Sequence, residues 1–135
     1  MQSNTQPLSF DNTFTGAMGL EVLRCEDGQS DCRLVTGEQH RNVRGMVHGG
    51  VTFALIDSGM GSAVSSTLRE GEGGATIEIK ITYMAPVYPG TELRCASRVI
   101  KRGKTVIFIE SEVTVDGGAP VARATGTYAV TGRAG

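Results

Sequence analysis

At 135 residues the chain is sized for one domain, long enough to bury a core without a disulfide frame or a structural metal. With 39% apolar and 20% charged residues it reads as globular rather than disordered, and a net charge of −1 argues against nucleic acid or an anionic membrane as its partner. Three cysteines, Cys25, Cys32 and Cys95, form no CxxC or Cys/His cluster, so reduced thiols in a cytoplasmic protein are expected rather than disulfides or zinc ligands.

The N-terminal stretch is polar and uncharged, which does not fit a signal peptide, and residues 1–15 read as an arm ahead of a single domain over 16–135. No apolar run approaches the roughly 20 residues that span a bilayer. Gly19 to Arg24 predicts a strand that buries Leu20, Val22 and Leu23. Asp27-Gly28 is a hairpin dipeptide, and Ser30 to Thr36 predicts the returning strand. Residues 37–47 form a polar loop with no period.

From Gly49 to about Leu68 the pattern becomes helical. Val51, Phe53, Ala54, Leu55, Ile56, Met60, Ala63, Val64 and Leu68 cover most faces, as in a buried helix. Gly59 and Gly61 each cost helix propensity of roughly 1 kcal/mol relative to alanine, with close packing against another backbone as the expected return. Four strands follow: Ala75 to Met84, Thr91 to Lys101, Thr105 to Val115 and Pro120 to Val130. Turns at Arg102-Gly103-Lys104 and Asp116-Gly117-Gly118 join the later ones. Short turns imply antiparallel pairing, and one helix against such a sheet is an α+β arrangement of five to six strands.

The chemistry concentrates between Asn42 and Asp57. His48-Gly49-Gly50 lies where loop becomes helix, and helix starts carry unpaired N–H groups and partial positive charge. Such an N–H can hold the oxygen of a polarised carbonyl, with Asn42 as a second donor from the loop. Each residue also has a plainer use: a glycine pair as a turn, His48 as a cap, Asn42 as a loop residue tied to its own backbone. Asp57 is harder to explain away, because a carboxylate two turns into an apolar helix needs partners or a shifted pKa. Its functional use is as general base or nucleophile.

Gly49 and Asp57 are eight residues apart, about 12 Å along one helix. One helix cannot readily bring both to a single carbonyl, whereas two antiparallel copies about a two-fold axis can. Gly59 and Gly61 would permit that approach.

Asn42, Gly45, His48-Gly49-Gly50, Leu55 and Asp57, followed by Ile81-Thr82-Tyr83-Met84-Ala85-Pro86 and Gly103-Lys104-Thr105, resemble the hotdog-fold thioesterases. The chain is most similar to the phenylacetate-pathway (PaaI-like) acyl-CoA thioesterases and a human group related to them, over most of its length after about Gly16. The resemblance implies a long central helix wrapped by a curved antiparallel sheet, and homodimers with shared active sites that often pair into homotetramers. It implies that the Gly49 N–H and the Asn42 side chain bind the thioester oxygen, that Asp57 comes from the opposing subunit, and that Thr76 helps position water, with His48 beside the thioester. It places Tyr83, Met84, Arg102, Gly103 and Lys104, with Lys101 alongside, near the CoA moiety. Arg102 and Lys104 suit phosphate on charge grounds, though a solvated hairpin is the plain reading of both. Water, a carboxylate and an oxyanion hole suffice for the hydrolysis, so no cofactor or metal is expected.

Two other functions fit the fold: an acyl-thioester dehydratase or hydratase, which usually pairs a histidine with a carboxylate in a different motif, and a non-catalytic acyl-CoA-binding protein, which would have no need of Asp57. The acyl group is open between aryl, phenylacetyl and fatty acyl. Phe53, Met60 and Met84 are candidates to line its pocket, with core packing as their alternative use.

Overall fold

The computed structural model describes residues 13–132. A short helix α1 (Phe14–Met18) precedes the hairpin β1 (Leu20–Glu26) and β2 (Gln29–Val35). A turn of 3-10 helix (Glu38–His40) leads to the long helix α2 (Gly49–Ser65). Four strands follow: β3 (Gly73–Tyr83), β4 (Glu92–Arg102), β5 (Val106–Val115) and β6 (Pro120–Thr131). They form one six-stranded antiparallel sheet in the order β1-β2-β4-β5-β6-β3.

Most of the proposed arm, residues 1–12, lies outside the described residues. Among those described, no helix is long and apolar enough to cross a membrane.

Side-chain alternation sets what faces the helix. Cys32 and Leu34 of β2, Leu93 and Cys95 of β4, and Ile107, Ile109 and Val113 of β5 are almost wholly buried. Leu55, Ile56, Met60, Ala63 and Val64 of α2 close the core from the other side. Three successive inward residues of β6 are small: Ala122, Ala124 and Gly126. A methyl group at Gly126 would stand 2.7 Å from Met60 Sδ, so the glycine is a matter of space.

Two of the three hairpin turns take left-handed backbone at two successive residues, Asp27 and Gly28 (φ 51° and 75°) and Asp116 and Gly117 (φ 50° and 70°). Two positive φ values suit the right-handed twist of the strands they join.

Several expectations need correction. Helix α2 ends at Ser65, not near Leu68, and it is not apolar all round. Its sheet side is buried, while Phe53 and Ser65 are exposed. Leu23 is exposed because the β1–β2 register shifts between Val22 and Arg24. Ile77 is likewise turned outward, where the β3–β6 register shifts between Thr76 and Glu78. A bulge adds one residue and breaks simple alternation. Met60 is core, with no exposed surface. Gly59 faces its own sheet, where an added methyl would lie 3.0 Å from Ser97 Oγ and 3.2 Å from Cys95 Sγ, and its carbonyl accepts from Ser30 Oγ at 2.6 Å. It is not available to a second helix. An added methyl at Gly61 would meet nothing within 4 Å.

Candidate active site

The loop before α2 is fastened at several points. The buried His40 accepts the Gly37 N–H at Nδ1 (2.9 Å), and its Nε2 reaches the Met18 carbonyl at 2.9 Å. Its own carbonyl accepts from the His48 N–H at 2.8 Å, and Val47 N–H donates to the Val87 carbonyl at 2.8 Å. These bonds set where the helix begins.

His48 is the N-cap of α2. Its Nδ1 accepts the Gly50 N–H at 2.7 Å, and its carbonyl accepts the Val51 N–H at 2.9 Å. Between them the Gly49 N–H has no acceptor among the described residues. An N–H at a helix start, without a partner and beside no bulky side chain of its own, is a ready donor to an anionic or polarised oxygen. Tyr83 flanks it: the phenol donates to the Gly49 carbonyl at 2.7 Å, and a methyl at Gly49 would touch the ring at 3.4 Å.

Asn42 has used its acceptor. Its Oδ1 receives the N–H groups of Arg44 (2.8 Å) and Met46 (3.1 Å). The side chain therefore supports its own turn, as the plain reading held, and still has the amide Nδ2 to donate.

Asp57 is half-buried, and it has partners. Thr76 Oγ1 donates to its Oδ1 at 2.9 Å, and the Tyr128 hydroxyl donates to the same oxygen at 2.7 Å. No cationic side chain pairs with it among the described residues, so the structural ion pair is absent and the charge is met by two neutral donors. Tyr128 was not singled out from the sequence. Burial, with the neighbouring Asp57 carboxylate adding to it, raises its phenol above the ordinary tyrosine range, so it stays a donor.

A hollow of about 300 Å³ opens beside Asp57. Phe14 and Thr15 of α1 and Gly50, Phe53, Ala54 and Ser58 of α2 line it with Asp57. Phe14 and Phe53 are 71% and 43% exposed, so two aromatic faces are open there. A larger hollow of about 570 Å³ is lined by charged residues such as Arg24, Asp31, Arg98, Glu110 and Arg123, and includes none of the predicted site residues.

The residues expected near CoA divide. Tyr83 and Met84 are exposed at the end of β3. Arg102 is largely covered: it pairs with Glu72 at 2.5 Å and donates to the Gly103 carbonyl at 2.6 Å. Gly103 has no room for a side chain, since a methyl there would stand 2.3 Å from the Val106 carbonyl oxygen. Lys101 and Lys104 are exposed.

The two buried cysteines are poor nucleophiles here. Burial, foremost, pushes Cys32 up to about 12 and Cys95 up to about 11, which keeps both as neutral thiols.

One long helix held in an antiparallel sheet, with a donor at its start and a carboxylate two turns on, defines a hotdog-fold protein. Residues 44–122, over half of the chain, match the Thioesterase superfamily, and the chain belongs to that family. It is 37% identical over 83 residues to mouse acyl-coenzyme A thioesterase 13, a match spanning 62% of this chain and 59% of that protein, less than two thirds of the relative's length. A solved structure of a conserved protein from Pseudomonas aeruginosa is 36% identical, with a TM-score of 0.82 over 87% of this chain and 93% of that one. A hypothetical thioesterase from Streptococcus pneumoniae, solved with coenzyme A, is 27% identical, with a TM-score of 0.78 over 86% and 88%.

Proposed function

We propose that the chain hydrolyses an acyl-CoA thioester to the free acid and CoA, in a homodimer with two shared sites. The observation that carries this reading is the pair of unmatched groups on α2: an N–H at Gly49 without an acceptor and a carboxylate at Asp57 held only by neutral donors. Family membership and the coenzyme A bound to the Streptococcus relative support the substrate class.

The thioester oxygen lies against the Gly49 N–H and the Asn42 amide of one copy. Asp57 of a second copy either takes a proton from water as the water oxygen attacks, or attacks the carbonyl itself to form an anhydride that water then opens. In both routes the C–S bond breaks, CoA leaves as thiolate and is protonated, and negative charge on the carbonyl oxygen is met by the two donors. Thr76 steadies Asp57, and His48 orders the helix start.

Strand β3 supports the dimer. It is an edge strand of 11 residues with one side unpaired in this chain, and a long open edge is a template for another strand. Antiparallel pairing of two β3 strands sets Tyr83 and Gly49 of one copy near Thr76 and Asp57 of the other. Pairing of such dimers into a tetramer, in a cytoplasmic setting that leaves the three free thiols reduced, belongs to the same proposal.

With Arg102 tied to Glu72, the turn it occupies offers Lys101 and Lys104 to the CoA phosphates, and Arg102 shapes that turn. Tyr83 and Met84 border the same channel from the second copy. The acyl group fits the hollow between Phe14 and Phe53. Its volume, about 300 Å³, exceeds the roughly 150 Å³ that accepts benzene in an apolar cavity, and so admits an aryl or medium-chain acyl group.

The test is hydrolysis over a panel of aryl, phenylacetyl and fatty acyl-CoAs, read by release of free thiol. The unaltered protein turns over at least one class, and Asp57→Asn loses about 10²- to 10⁴-fold in kcat while still binding. Undiminished turnover in Asp57→Asn removes the catalytic assignment.

A further inference from the structure

Asp57 is held by one oxygen only. Thr76 and Tyr128 both donate to Oδ1, at 2.9 and 2.7 Å. Among the described residues no donor reaches Oδ2. We infer that Tyr128 is a positioning residue, which with Thr76 brackets Oδ1 and leaves Oδ2 as the oxygen presented to water or to the thioester carbon. The inference rests on the reading that Asp57 carries the hydrolysis.

The bracket comes from the sheet. Thr76 of β3 and Tyr128 of β6 are directly opposite in register, so the two donors are one cross-strand pair. The bulge immediately after Thr76 shifts the remaining pairs of β3 and leaves this one facing α2. Tyr128 continues the inward series of Ala122, Ala124 and Gly126, and is 3% exposed. A single donor would leave the carboxylate free to turn about its last side-chain bond. Two donors converging on one oxygen from fixed strands oppose that rotation, and they leave the lone pairs of the other oxygen unspent.

The plain alternative is a buried tyrosine that merely satisfies its hydroxyl. The Asp57 backbone carbonyl, 3.1 Å from the same hydroxyl, would serve for that. The shorter contact goes to the carboxylate instead. Because burial keeps the phenol protonated, the donor persists through the alkaline range. Beside the Asp57 carboxylate, the Cys95 thiol of β4 also acts to raise the Tyr128 phenol.

Tyr128→Phe in the full-length oligomer keeps the ring and removes the donor. With the best acyl-CoA of the panel, kcat falls about tenfold, which corresponds to about 1.4 kcal/mol, while KM stays within about twofold. Thr76→Val gives a similar loss, Thr76→Ser restores the rate, and both variants remain informative if Tyr128→Phe folds poorly. In an Asp57→Asn background Tyr128→Phe adds no further loss. An unchanged kcat in folded Tyr128→Phe, with Asp57→Asn inactive, overturns the bracket. Full turnover in Asp57→Asn instead overturns the reading beneath it.

Discussion

At the start of α2 the Gly49 N–H lacks an acceptor and Tyr83 braces the neighbouring carbonyl; two turns on, Asp57 has two donors and no cation. In the proposed hydrolysis each region supplies half of the site, and α2 measures the gap between them. Gly49 marks the donor end and Asp57 the carboxylate end, eight residues of helix apart, which is about 12 Å. One helix does not readily bring both groups to a single carbonyl across that distance. On the proposed reading the difference between the two regions makes two copies the unit of catalysis, and the sharpest way to break the comparison is to damage the regions separately.

In Asn42→Ala the donor end is impaired, and in Asp57→Asn the carboxylate end. Each variant alone is expected to be nearly inactive. When the two are unfolded together and refolded at equal amounts, about half of the dimers are mixed, and each mixed dimer has one intact site of its two. Activity therefore recovers to about a quarter of that of the unaltered protein. Thiol release from the mixture, compared with each variant refolded alone, decides it. Absence of recovery places both groups of one site on one chain and ends the shared-site reading.

A milder strike at the donor end is Tyr83→Phe. It removes the hydroxyl that donates to the Gly49 carbonyl but keeps the ring beside Gly49. The first turn of α2 loosens, and kcat/KM falls about tenfold, in line with loss of an orienting hydrogen bond. Steady-state kinetics on the panel substrate is the check. An unchanged kcat/KM means the helix start is held by the His48 cap and the His40 loop alone.

How far these two regions can be read from sequence depends on what kind of contact makes them. The helix start, its glycines and Asp57 stand out because they break a local pattern: a loop giving way to apolar period, and a charge inside it. The inward strand positions follow from alternation, and the first and last hairpins from Asp27-Gly28 and Asp116-Gly117. Tyr128 was within reach of the same logic, since it extends the inward series of β6 and an inward phenol must donate to something. Other contacts leave no local trace. Arg102 and Glu72 lie 30 residues apart, and a basic turn reads as phosphate-binding until its arginine is seen to be spent on that glutamate. His40 closes on Met18 across 22 residues, out of a loop without period. Leu23 and Ile77 mislead because a bulge inserts one residue and reverses the face, and nothing in composition announces it.

The two glycines of α2 make a smaller comparison. They look alike in sequence, each a helix-weakening residue on the way to Ser65. A methyl at Gly59 enters a space bounded by Ser97 Oγ at 3.0 Å and Cys95 Sγ at 3.2 Å. Both belong to β4, which is paired on either side and gives little. Gly59→Ala is therefore expected to cost about 1 kcal/mol or somewhat more, lowering the melting temperature by several degrees. A melting curve that does not fall would show that the two side chains step aside.

At Gly61 the same methyl meets nothing within 4 Å of this chain. Alanine there removes the backbone entropy that glycine loses on folding and adds helix propensity, together up to about 1 kcal/mol. Gly61→Ala is expected to raise the melting temperature by a degree or two, and to leave kcat and dimer dissociation unchanged. The measurement also locates the second copy. A lower melting temperature with weaker dimerisation would mean that another backbone rests on Gly61, and the two helices would then touch directly. A higher one leaves β3, rather than α2, as the element that joins the copies.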